Sequence, residues 1–270
     1  MGVNTGFSVL KDRKSGAYAY SMAEADPDNL FDTGDHPRAK LGFVLLATEQ
    51  TVEDDMFRAR PEGVGLHFSR AWNPDSVSVA TFDAQLHELS RAARTLLPDG
   101  SLDVIGYACT SGSLVMGEAR VFAELRKGAP GAIATSLITG VIRALRHLGI
   151  GRVAVATPYR DEINQREAAF IEDEGVRVTA LRGLRLERDS DMIRVRPEAI
   201  ADLARSVDSA QAEAVFISCG ALRSMRLVDA LERELGKPVI CSNQAMLWDM
   251  LRLAGVGDRI PGYGRLLLEC

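Results

Sequence analysis

Leu102-Asp103-Val104-Ile105-Gly106-Tyr107-Ala108-Cys109-Thr110-Ser111-Gly112-Ser113 is an apolar run that stops at a cysteine and opens into small polar residues. A short apolar run closed by a Gly/Ser turn signal reads as a buried strand. The stretch after it, to about Arg126, reads as a helix. The second half holds a matching phrase, Ala214-Val215-Phe216-Ile217-Ser218-Cys219-Gly220. Cys109 and Cys219 lie 110 residues apart, as do strand starts near Leu41 and Gly151; Gly63-Val64 and Gly175-Val176 lie 112 apart. Three landmarks in register within two residues predict a duplicated unit.

Working outward, short apolar runs alternate with longer amphipathic stretches. Strands are expected at Leu41–Ala47, Val64–Ser69, Leu102–Ala108, Gly151–Ala156, Val176–Leu181, Ala214–Ser218 and Val239–Ser242. Helices are expected to begin at Val52 and to span Phe82–Leu96, Leu137–Leu148, Glu162–Glu174, Pro197–Val207, Leu227–Leu235 and Gln244–Leu253. Strand–helix alternation of this kind predicts an α/β fold: two pseudo-symmetric, doubly wound parallel-sheet domains with the active site between them. The expected division is an N-terminal extension over 1–40, a first domain of 41–148 plus 243–270, and a second of 149–242. The extension is polar and rich in Gly and Asp, and loops with one short element are expected there. Ligands of such sheets bind at the carboxyl ends of the strands, where both cysteines fall.

Composition narrows the function classes. A net charge of −5 without a basic stripe speaks against nucleic acid. No apolar run approaches the ~20 residues that cross a bilayer, and the N-terminus lacks a signal core, so a cytoplasmic protein with no membrane partner is expected. A homo-oligomer is expected, to which the extension could contribute. Cys109, Cys219, Cys241 and Cys270 form no CxxC pair, and no histidine sits near them at ligand spacing, so no metal is expected.

A lone cysteine closing an apolar strand is more often core filler than chemistry. Two in register, each followed by small polar residues, point the other way. A thiol at a strand end before a helix meets backbone N–H groups, which favour thiolate and bind anions. Thr110, Ser111 and Ser113 add hydroxyls beside Cys109. One thiol on each side of a shared cleft suits removal of a proton from one face of a carbon and delivery to the other. Cys241 lacks a repeat partner and reads as structural; Cys270, the last residue, reads as solvated.

The motifs Thr48-Glu49-Gln50-Thr51-Val52-Glu53, Tyr107-Ala108-Cys109-Thr110-Ser111-Gly112-Ser113, Ala156-Thr157-Pro158-Tyr159, Phe216-Ile217-Ser218-Cys219-Gly220 and Ser242-Asn243-Gln244-Ala245 together resemble the Asp/Glu racemase superfamily. Within it they resemble the maleate cis–trans isomerase and arylmalonate decarboxylase branch, over about Leu41 to Val256. Residues 47–55 and the leading segment also look like the racemase-like proteins of ectoine-utilisation clusters. The resemblance implies that Cys109 is the thiolate that attacks or deprotonates substrate and Cys219 the proton donor. It implies that Thr110, Ser111, Tyr159 and the Gly220 N–H hold a substrate carboxylate, with no metal or organic cofactor. The decarboxylases carry glycine at the first cysteine, so Cys109 favours isomerisation or racemisation.

Two departures bear on substrate. Where the resemblance places asparagines in maleate isomerases, this chain has Gln50 and Asp189. An ionised Asp accepts hydrogen bonds but repels a carboxylate. If Asp189 lines the cleft, an amino-acid-like substrate with an ammonium or amide fits better than maleate; the alternative is a solvated loop residue in Arg188-Asp189-Ser190-Asp191. Glu53, Asp54 and Asp55 read as an acidic first helical turn. Three functions stay open: an isomerase or racemase working through two thiols, a decarboxylase of malonate-type acids using mainly Cys219, and a non-catalytic carboxylate-binding protein.

Overall fold

The computed structural model describes residues 8–11, 18–21 and 30–269. The rest of the 1–40 extension, and Cys270 with its expected solvation, lie outside the described residues. Within the extension, β1 (Ser8–Lys11) and β2 (Tyr18–Ser21) pair antiparallel.

The body begins at β3 (Ala39–Leu46), buried along nearly its whole length. Burial on both faces is why it reads as a continuous apolar run and not as an alternating one. Helix α1 (Val52–Arg58), β4 (Val64–Ala71), α2 (Val79–Ala93) and β5 (Val104–Tyr107) follow. Next come α3 (Thr110–Met116), α4 (Glu118–Gly128), β6 (Ile133–Ser136) and α5 (Leu137–His147). The four strands form a parallel sheet of order β4-β3-β5-β6.

The second half repeats the plan with β7 (Arg152–Thr157), α6 (Asp161–Asp173), β8 (Arg177–Gly183), α7 (Asp189–Met192), α8 (Pro197–Val207) and β9 (Ala214–Ile217). It closes with α9 (Val228–Leu235) and β10 (Val239–Cys241). Its parallel sheet runs β8-β7-β9-β10. Numbered within each half, both sheets have the order 2-1-3-4, so the spacing of 110 between the cysteines reflects a repeated topology.

Two departures from the sequence reading have local causes. The single helix expected from the Cys109 loop to Arg126 is two, broken at Gly117, whose φ of 82° no helix accommodates. Strand β6 was not anticipated: only four residues long, it passes straight into α5, whose Ser136 cap accepts the Thr139 N–H.

After β10 the chain leaves the second sheet. Helix α10 (Ser242–Leu253) packs on α5 and under β5. Asp249 on α10 accepts from Thr135 Oγ1 of β6 at 2.6 Å and pairs with Arg143 of α5 at 2.9 Å. A Cβ at Gly106 of β5 would lie 2.4 Å from the Met246 methyl, so α10 lays its methionine side chains closely against this glycine. A short α11 (Arg265–Glu269) ends the described chain. No helix among the described residues is long and apolar enough to cross a membrane.

Candidate active site

Cys109 caps the N-terminus of α3 directly after the first sheet's β5. Its sulfur accepts the Gly112 N–H at 3.3 Å and lies 3.7 Å from Ser111 Oγ, while Ser113 Oγ donates to the Cys109 carbonyl at 2.7 Å. Cys219 follows β9 in the second sheet, beyond Ser218. Its φ of 96° is rare for any residue with a Cβ, and its loop is clamped at three successive residues. The Cys219 N–H donates to Ser242 Oγ at 2.9 Å, Asn243 Nδ2 donates to the Gly220 carbonyl at 2.9 Å, and Thr51 Oγ1 donates to the Ala221 carbonyl at 2.9 Å. Ser242 Oγ also lies 3.1 Å from Thr110 Oγ1. One hydroxyl thus links the loops that carry both thiols.

The loops meet at a cavity of about 10 Å³, room for little more than one water, lined by Cys109, Thr110, Ser111, Tyr159, Cys219 and Gly220, with Glu49 and Asp189 beside them. It is largely closed: Cys109 is 7% exposed and Cys219 4%. Of the residues expected in the site, the structure brings together all but Gln50, whose side chain is exposed and does not line the cavity. Its neighbour Glu49 turns inward instead, because Glu49 Oε1 accepts the N–H groups of Gln50, Thr51 and Val52 at the start of α1. Asp189 is no solvated loop residue. It is 3% exposed, begins α7, and accepts from Thr48 Oγ1 at 2.6 Å.

Electrostatics overturn one expectation. Helix-terminal N–H groups were expected to favour thiolate, yet burial pushes Cys109 up to about 12, against the opposing pull of Gly112 N–H and Ser111. Burial and then Asp189 push Cys219 well above the usual thiol value, with Tyr159 and the Ala221 N–H opposing. Among the described residues, no lysine, arginine or histidine lines the cavity to reverse this. Both groups therefore rest as thiols in the closed site. Burial, followed by the Asp189 charge, also raises Glu49 to about 7. Cys241 is fully buried in the core, with burial pushing it to about 12.

Several contributors were absent from the sequence reading. Tyr107 is buried with its hydroxyl interacting with Cys109. Ser242 lay inside a quoted motif but had no assigned part. Glu167 of α6, fully buried, accepts from the Ser218 hydroxyl at 2.5 Å just ahead of Cys219. Among the described residues, no cluster of three or more His, Cys, Asp or Glu side chains could hold a metal ion.

Two sheets of identical strand order, each delivering a thiol from the end of its third strand to one closed cavity, define a two-lobed α/β enzyme. The profile of the arylmalonate decarboxylase family matches residues 62–267. An arylmalonate decarboxylase from Bordetella bronchiseptica is 36% identical over 240 residues, covering 85% of this chain and 96% of that protein. A maleate isomerase from Nocardia farcinica is 29% identical over 241 residues, with coverage of 85% and 96%. Among solved structures, a cysteine-to-serine variant of the Nocardia farcinica maleate cis–trans isomerase, with a covalently bound succinylcysteine intermediate, superposes with a TM-score of 0.79. It is 26% identical, covering 86% of this chain and 99% of its own. A liganded double variant of arylmalonate decarboxylase gives 0.78 at 31% identity, over 86% of this chain and 100% of its own. The chain belongs to the arylmalonate decarboxylase family and is similar to maleate isomerases over most of its length.

Proposed function

We propose that this enzyme is a cofactor-independent isomerase or racemase acting at a carbon next to a carboxylate through Cys109 and Cys219. The observation that carries this reading is a pair of thiols lining one closed cavity beside the hydroxyls of Thr110, Ser111 and Tyr159. Cys109 sits at the N-terminus of α3, where the Gly112 N–H and Ser111 favour its thiolate. Beyond burial, Asp189 raises both thiols, and Glu49 acts on Cys219 in addition, against the Tyr159 hydroxyl and the Ala221 N–H. That asymmetry suits Cys109, once its proton has passed to water as substrate enters, as the thiolate that takes a proton from, or adds to, the substrate carbon, and Cys219, still protonated, as the donor. The neutral donors of Thr110, Ser111, Tyr159 and Gly220 N–H would hold the carboxylate. The likeness of residues 47–55 to proteins of ectoine-utilisation clusters keeps diamino acids among the substrates to screen.

The second reading is a decarboxylase, favoured by the 36% identity to arylmalonate decarboxylase. Cys109 weighs against it, since the resemblance places glycine there in decarboxylases. The test is NMR of solvent-deuterium incorporation over small dicarboxylates and amino acids, with carbon dioxide release measured in parallel. The proposal expects exchange at the carbon next to the carboxylate, lost in both Cys109→Ala and Cys219→Ala while the fold survives. Carbon dioxide release that persists in Cys109→Gly would establish the decarboxylase instead.

A further inference from the structure

The cavity holds two acids and no base. Glu49 comes from the turn after β3 and Asp189 from the start of α7, and both are more than nine-tenths buried. Each has one oxygen engaged. Glu49 Oε1 takes three backbone N–H groups, and Asp189 Oδ2 takes the Thr48 hydroxyl. No hydrogen-bond donor or cation among the described residues engages the other oxygens, Glu49 Oε2 and Asp189 Oδ1. Burying a carboxylate without a counter-charge is strongly unfavourable. Among the described residues no cation offsets that cost.

The cavity's other polar groups are different in kind. Thr110, Ser111, Tyr159 and the Gly220 N–H are uncharged donors, enough to satisfy one carboxylate. A dicarboxylate would bring a second negative charge against two buried acids. An ammonium would bring the missing cation and three N–H donors for the two unengaged oxygens.

We propose that the site takes a zwitterionic, amino-acid-like substrate, its carboxylate held by the Cys109 loop and its ammonium held between Glu49 and Asp189. This rests on the two-thiol cavity being the active site, and it adds the charge pattern of the ligand. Glu49 and Asp189 are the specificity-determining residues.

The test compares ligands that differ in one end group: β-alanine against succinate, and 2,4-diaminobutyrate against maleate. Binding is followed by calorimetry in the wild-type chain and in a Cys109→Ala/Cys219→Ala chain, so that ligand preference is read apart from thiol chemistry. The amino ligands are expected to bind more tightly than their dicarboxylate partners in both chains. Glu49→Gln and Asp189→Asn keep the cap and the Thr48 bond, and each should weaken amino-ligand binding by about tenfold or more. The double Glu49→Gln/Asp189→Asn chain should prefer the dicarboxylates. Tighter succinate than β-alanine binding in wild type would overturn the proposal. A preference unmoved by both single variants, with melting curves confirming their fold, would overturn it equally. Absence of solvent-proton exchange in the wild-type chain, with this preference intact, would count against the thiol mechanism alone.

Discussion

The Cys219 N–H donates to Ser242 Oγ, and that bond ties a cysteine at φ 96° to the first turn of the helix that crosses back to the first sheet. A residue with a Cβ held at positive φ stores about 1–3 kcal/mol and persists only where its surroundings over-determine it. Ser242, Asn243 and Thr51 do so, one backbone group each. The direction of the second thiol is thus set by residues that pack against the other sheet.

Ser242→Ala is the sharpest probe of this arrangement. It leaves the buried Cys219 N–H without a partner and removes the contact to Thr110 Oγ1. The expected loss is about 1–3 kcal/mol of stability. Because Ser242 positions a reacting group, kcat should fall by at least about tenfold, with a smaller change in KM. Chemical denaturation and steady-state kinetics check both; an unchanged kcat would refute the positioning role.

Thiol reactivity follows from burial. Cys109 is held near 12 and Cys219 well above the usual value, so little thiolate exists at neutral pH. In a Cys270→Ser background, the native chain at pH 7 should alkylate with iodoacetamide more than about a hundredfold more slowly than the unfolded chain. Mass spectrometry of the cysteine peptides reads the rates site by site. Rapid labelling of Cys109 in the native state would show an ionised, open site.

Much of this was legible in the sequence because the elements are periodic and the repeat preserves register. The strands ending at Cys109 and Cys219, and the helix Pro197–Val207, follow from local pattern alone. What was not legible depends on which way a side chain turns. Glu49 and Gln50 are adjacent and both polar; only the N–H groups at the start of α1 decide that Glu49 faces the cavity. Asp189 sits among Arg188, Ser190 and Asp191, a stretch that looks solvated until Thr48 from the other half closes over it. The expected thiolates failed for a different reason. Helix termini were weighed from sequence, but desolvation is a property of the assembled cavity, and here it wins.

Gly112 is a packing constraint on the first thiol. A Cβ there would lie 2.4 Å from the Tyr107 hydroxyl oxygen and 3.1 Å from Cys109 Sγ. Gly112→Ala should cost about 1–3 kcal/mol through overpacking and displace the sulfur. Gly131→Ala, whose nearest neighbour would be 3.9 Å away, is the matched control and should be close to neutral. Thermal melts of the two variants, with activity alongside, test the difference; equal effects would mean the Cys109 loop relaxes freely.

Glu167 makes stability depend on pH in a direction that can be worked out. Burial raises its carboxyl from 4.5 to about 7, against the opposing Ser218 hydrogen bond, and its second oxygen has no partner. Between those two values the native state holds the proton more firmly than the unfolded chain. Stability contributed by this group is therefore present at acid pH and is lost as pH rises toward and through about 7. The full penalty above that range is about 3 kcal/mol. Glu167→Gln removes the ionisation and keeps an oxygen for Ser218. Glu49, Asp55, Asp189 and Glu232 are also raised, so the wild-type curve alone mixes at least five groups. The difference between variant and wild type isolates one. In urea unfolding, Glu167→Gln should gain on wild type at pH 8 by up to that amount and lose most of the gain at pH 5. A difference independent of pH would mean that Glu167 is not buried as an acid beside the Cys219 loop.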